Sequence, residues 1–219
     1  MCVPMTSRWA QALQRTLQRV YDPTTRTPVP WFISGDAALA VQGVPVDPEI
    51  IEFRANSQYA AAYFSQLMKP YEPSANAATI VYRRGGNVAP SEKWRSNLHQ
   101  RIVAWSSGGR ACWLGRWLVD GVTVQVSYLR TIHADPISLV NATSVRRAHF
   151  DGKEVPVVPL ECMLADSALR SEAPLTQRIL HTMRSCGYDP DLLREALDVL
   201  PAERALRLMR LLDLNLVAG

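Results

Sequence analysis

The chain has 219 residues, 47% hydrophobic and 20% charged, with a formal net charge of +4. This size and composition exclude an intrinsically disordered segment and a small stapled module, and suit one domain or a core with a helical appendage. The basic residues are nearly all Arg, the only lysines being Lys69, Lys93 and Lys153, and they form no dense run, so a dedicated nucleic-acid binder is not indicated.

Residues 7–21 carry Trp9, Leu13, Leu17 and Val20 at helical spacing, with Arg8, Arg15 and Arg19 largely off that stripe. This predicts an amphipathic helix ending at Asp22-Pro23. Trp31–Ser34 is a short apolar run expected as a strand. Gly35 breaks it, Ala37–Val41 follows as a short helix, and Gly43 stands at its C-terminal end. Glu49–Arg54 is a second strand candidate, and Ser57–Met68 is a helix stopped before Pro70. Thr79–Arg83, Gln100–Trp105 and Cys112–Val119 are further strand candidates, with a loop over 85–96. In Val122–Tyr128, valines alternate with polar residues, the period of a half-buried strand. Val155–Val158 is a last short strand. From Pro159 onward the pattern becomes helical, over 159–170, 174–186, 189–199 and 201–214, with Leu206, Met209 and Leu212 expected as the apolar stripe of the final helix.

This pattern reads as α/β (α+β): a small mixed β-sheet core with flanking helices over 1–158, and a C-terminal helical subdomain over 159–219. Cys2, Cys112, Cys162 and Cys186 show no CxxC spacing, so neither a zinc ribbon nor a disulfide framework is indicated, and buried reduced thiols are expected. The N-terminus lacks an apolar leader core, and no apolar run nears the ~18 residues of a membrane span. A cytoplasmic protein without a membrane partner is the expectation.

The stretch Trp31-Phe-Ile-Ser-Gly-Asp-Ala-Ala-Leu-Ala-Val-Gln-Gly-Val44 resembles the opening motif of the minimal nucleotidyltransferases. These belong to the DNA polymerase β-like superfamily, with its toxin-type and antibiotic-modifying members. In that family a strand, Gly-Ser or Gly-Gly, and a short Ala-Leu-rich helix are followed by a strand bearing Asp-x-Asp. Val44–Phe53 stands in the place of that strand. Arg95-Ser96 resembles an Arg-Ser pair of some relatives, Gly121–Val126 the strand holding a third carboxylate, and Val155–Glu161 the lead into the C-terminal helices.

The resemblance implies transfer of a nucleoside monophosphate from a triphosphate to an acceptor, with two divalent ions holding the phosphates. Mg²⁺ needs clustered hard oxygen ligands, and Asp-x-Asp supplies two because strand side chains alternate with period two. The corresponding positions here are Ile50, Glu52 and Gln125. Ile50 has no ligand atom and Gln125 only a neutral oxygen, so ligand charge falls from about −3 to about −1. Glu52 is thus the one metal ligand implied. Ser34, Gly35 and Asp36, with Arg95 and Ser96, are the nucleotide-binding candidates. Asp36 is expected to cap the helix and, by its charge, to repel a triphosphate. A rearranged site drawing on Asp36, Asp47, Glu49 and Glu52 stays open, although Glu49 lies on the opposite strand face from Glu52.

Glu161 reads most simply as compensating a helix dipole. Trp105, Trp113 and Trp117 read as core or interface residues. His99, His133, His149 and His181 show no metal spacing. Three functional readings follow. The first is a degenerate nucleotidyltransferase-like protein that binds a nucleotide or protein partner, with no cofactor. The second is a Mg²⁺-dependent enzyme with substituted ligands. The third is a nucleic-acid-binding module using the arginine surface.

Overall fold

The computed structural model describes residues 7–24, 31–73, 103–107, 110–131 and 145–213, and short strand segments at 78–79, 83–84, 87–88 and 93–94. In chain order the elements are α1 (Arg8–Thr24), β1 (Trp31–Ser34), α2 (Gly35–Val41), β2 (Ile50–Ala55), α3 (Gln58–Leu67) and β3 (Glu72–Pro73). Next come β4 (Ala78–Thr79), β5 (Arg83–Arg84), β6 (Asn87–Val88), β7 (Lys93–Trp94), β8 (Val103–Ser107), β9 (Arg110–Val119) and β10 (Val122–Thr131). The chain continues with β11 (Arg146–Phe150), β12 (Lys153–Val157), α4 (Leu160–Leu169), α5 (Ala173–Cys186), α6 (Pro190–Leu197) and α7 (Ala202–Asp213).

The main sheet is mixed, in the order β11-β12-β1-β2-β10-β9-β3, with β8 also pairing β9. β1 runs parallel to β12 and β2 parallel to β10, while β1/β2 and β9/β10 are antiparallel. Two hairpins in it turn on Asp-Gly pairs. Asp120-Gly121 joins β9 to β10 and Asp151-Gly152 joins β11 to β12, all four residues having positive φ. Such pairs tolerate the left-handed backbone that a tight two-residue turn demands.

One face of the sheet is closed by α1 and α3. Ile51, Phe53, Val124, Val126 and Trp117 project from it into a cluster with Trp9, Leu13, Leu17 and Phe64. Along β2 the alternate residues Ile50, Glu52 and Arg54 are only half-buried, as the two-residue period requires. α3 begins at Ser57, whose hydroxyl accepts from the Ala60 N–H at 3.0 Å. A second apolar cluster unites α4–α7: Leu160, Leu164, Ile179, Met183, Leu193 and Leu208, joined by Leu39 and Val44 from the α/β part. Among the described residues no helix is long and apolar enough to cross a membrane.

Several expectations are corrected. α1 continues through Pro23 to Thr24. β3 and β11 are strands that the periodicity did not indicate. In α7 the buried residues are Leu208 and Leu212, while Leu206 is 53% exposed. Each helical residue turns the side chain by about 100°, so Leu206 and Leu208 face nearly opposite ways, and docking on α5 selects the second. Glu161 does more than offset a dipole. It lies in the first turn of α4, is fully buried, accepts from Arg146 Nη2 at 3.1 Å and from the Asp189 backbone N–H at 2.8 Å, and so ties β11, α4 and α6 together.

Candidate functional site

The strand register assembles a row of side chains across four neighbouring strands. Ser34 of β1 stands opposite Glu52 of β2, Glu52 opposite Gln125 of β10, and Gln125 opposite Arg116 of β9. The row occupies the face turned away from α1 and α3. Its members are polar but well enclosed: Ser34, Gln125 and Arg116 are buried and Glu52 is half-buried.

The row is hydrogen-bonded in one direction. Arg116 Nε donates to Gln125 Oε1 at 2.7 Å, and Gln125 Nε2 donates to Glu52 Oε1 at 3.3 Å. A guanidinium can only donate, so it fixes the amide with its oxygen toward Arg116 and its N–H toward Glu52. Burial pushes the Arg116 guanidinium below its ordinary pKa, and the Glu52 charge acts in the opposite sense. The other oxygen of Glu52 lies against Gly35, where an added Cβ would come within 2.8 Å of Oε2. Gly35 also has φ +62°, so both the backbone conformation and the close approach require glycine. The Ser34 hydroxyl is buried and has no hydrogen-bond partner.

Ser34 and Glu52 of this row line a cleft of about 690 Å³ between the sheet and the helices α4 and α5. Ser34, Gly35, Asp36, Asp47, Glu52 and Arg54 line it from the core, and Cys162, Asp166, Arg170 and Arg178 from the helices. Of the carboxylates suggested for a rearranged site, Asp36, Asp47 and Glu52 therefore share one cleft, while Glu49 is exposed and does not line it. Ile50 lies two residues from Glu52 on the same strand face, opposite Thr123. Asp36 is exposed in the first turn of α2 and is not its cap. Ser34 holds that position, and its side chain makes no capping bond. Arg95 and Ser96 lie outside the described residues. Among the described residues no three His, Cys, Asp or Glu side chains are grouped so as to hold a metal ion.

Two components of this site were missed in the sequence. Arg116 stands in a stretch that reads as plain strand, and only the β9/β10 register carries it to Gln125. The helical wall of the cleft is set by the packing of α4 on α5 and α2. Of the thiols, Cys186 is exposed rather than buried, and Cys162 borders the cleft. Burial, followed by the charges of Glu161 and Glu195, pushes the Cys162 thiol up to about 11. At pH 8 Cys162 is therefore almost wholly protonated. Iodoacetamide labelling followed by peptide mapping is expected to modify Cys186 promptly and leave Cys162 largely unlabelled.

Compared by sequence, the chain matches no protein-family model and no curated protein. Compared by structure, its fold is nucleotidyltransferase-like. A crystal structure of a proposed nucleotidyltransferase from Thermotoga maritima superposes with a TM-score of 0.51 at 17% identity, over 81% of this chain and 93% of that one. Two Helicobacter pylori structures also match, each with a TM-score of 0.36. One, a proposed nucleotidyltransferase, has 13% identity over 95% of both chains. The other, JHP933, has 12% identity over 93% of this chain and 91% of that one.

Proposed function

We propose that this chain is a nucleotidyltransferase-fold protein that has lost metal-dependent nucleotidyl transfer and acts as a binding or regulatory module, its cleft receiving a nucleotide or a protein partner. One observation carries this reading: the side chain beside Glu52 turns an N–H donor toward the carboxylate, where metal chemistry needs a second acid. Mg²⁺ does not fit this row. Glu52 is its one carboxylate, the Gln125 oxygen is engaged by Arg116, and Ile50 offers no ligand atom. The lining of the cleft by Asp36, Asp47 and Glu52 favours a second reading, an active Mg²⁺-dependent enzyme with rearranged ligands.

Titration calorimetry with each NTP, with and without Mg²⁺ or Mn²⁺, separates the two. The first reading expects any nucleotide binding to be unchanged by the metal, and no transfer of label from an α-labelled NTP. Label transfer that disappears in Glu52→Ala would establish the second reading instead.

A further inference from the structure

We infer that Arg116 is the residue that keeps divalent metal ions away from Glu52, acting as a built-in cation through the Gln125 amide. The inference rests on the metal-independent reading above and adds to the missing acids a contribution from one particular side chain.

A glutamine held by a carboxylate alone can flip its amide about one bond and offer its oxygen to a cation that binds there. Here Arg116 Nε lies 2.7 Å from Gln125 Oε1, and a donor-only group accepts no other arrangement. The Gln125 nitrogen is thereby forced toward Glu52 Oε1. A cation approaching from this side would meet an N–H hydrogen instead of an oxygen lone pair.

Charge acts the same way. Arg116 and Gln125 are each 8% exposed, so water screens the guanidinium little, and its positive charge stands in the row just beyond Gln125, two places from the carboxylate. A divalent ion would be repelled by it and would find Glu52 partly compensated. Replacing Gln125 alone by an acid would not reverse this, because the new carboxylate would pair with Arg116 and leave little net ligand charge.

The test measures Mn²⁺ binding by electron paramagnetic resonance and calorimetry. The wild type is expected to show no binding that depends on Glu52, and Gln125→Glu, which preserves length and shape, is expected to behave likewise. The double variant Gln125→Glu/Arg116→Met should bind Mn²⁺ at least about tenfold more tightly than Gln125→Glu, the scale on which neighbours of metal ligands act. Gln125→Glu/Arg116→Lys, which restores the charge, should fall back to the level of Gln125→Glu. Should the Met variant fail to fold, as judged by circular dichroism, Gln125→Glu/Arg116→Gln takes its place. Tight Mn²⁺ binding by Gln125→Glu alone, with none in the wild type, would overturn the role of Arg116 while leaving the metal-independent reading intact. So would a double variant that binds no better than Gln125→Glu. Wild-type binding that is lost in Glu52→Ala would overturn the metal-independent reading itself.

Discussion

Trp117→Ala is expected to lower the free energy of unfolding by about 3–5 kcal/mol, the usual cost of removing a large buried aromatic side chain. Trp117 is fully buried, and its ring centroid lies 6.1 Å from that of Phe64 in the cluster between the sheet and α1 and α3. It precedes the exposed Leu118 and follows Arg116, so one strand sends an aromatic ring into the core and a guanidinium to the opposite face. The indole Nε1 has no hydrogen-bond partner. Trp117→Phe should therefore cost much less, about 1–2 kcal/mol, because the smaller ring leaves a void but removes an unpaired buried donor. Urea denaturation of the two variants measures the contrast. Equal losses would show that the indole N–H is not an unsatisfied donor and that its removal brings no relief.

Glu161→Ala is expected to destabilise the protein by about 2–3 kcal/mol, below the full range for a broken buried ion pair because Arg146 is partly exposed. Glu161 itself has no exposure, while the Arg146 side chain is 36% exposed. The loss has two parts. Arg146 is left beside an apolar void, and the Asp189 N–H loses its acceptor just where α6 begins. Glu161→Gln keeps an oxygen that can receive both donors and should recover more than half of the stability. Denaturant unfolding followed by far-UV circular dichroism reads both variants, and a Gln variant as unstable as Ala would mean that the charge, not the hydrogen bonds, holds the helices to the sheet.

Trp9, Leu13, Leu17 and Val20 revealed α1, since a helix that must bury one stripe repeats its apolar residues every three or four positions. Val122, Val124 and Val126 revealed β10 by alternation. β11 escaped because Arg146-Arg-Ala-His-Phe150 carries little apolar alternation; its Asp151-Gly152 turn was the available signal. Leu206 was misassigned because two overlapping stripes exist on α7 and only the partner surface chooses between them.

The candidate site divides in the same way. Residues 34, 35, 52 and 125 were singled out by the resemblance of 31–44 and of the strands after it to the nucleotidyltransferase motif, not by composition or periodicity. The connection of Gln125 to Arg116 and Glu52 could not be read from the chain, because it depends on which strands pair and in what register, and a shift of one residue would have sent each side chain to the other face. Composition and periodicity thus determined the elements and the α/β class of this protein. Tertiary structure decided that Gln125 stands between Glu52 and Arg116 and which helices close the cleft, because non-local pairing leaves no periodic trace in the order of residues.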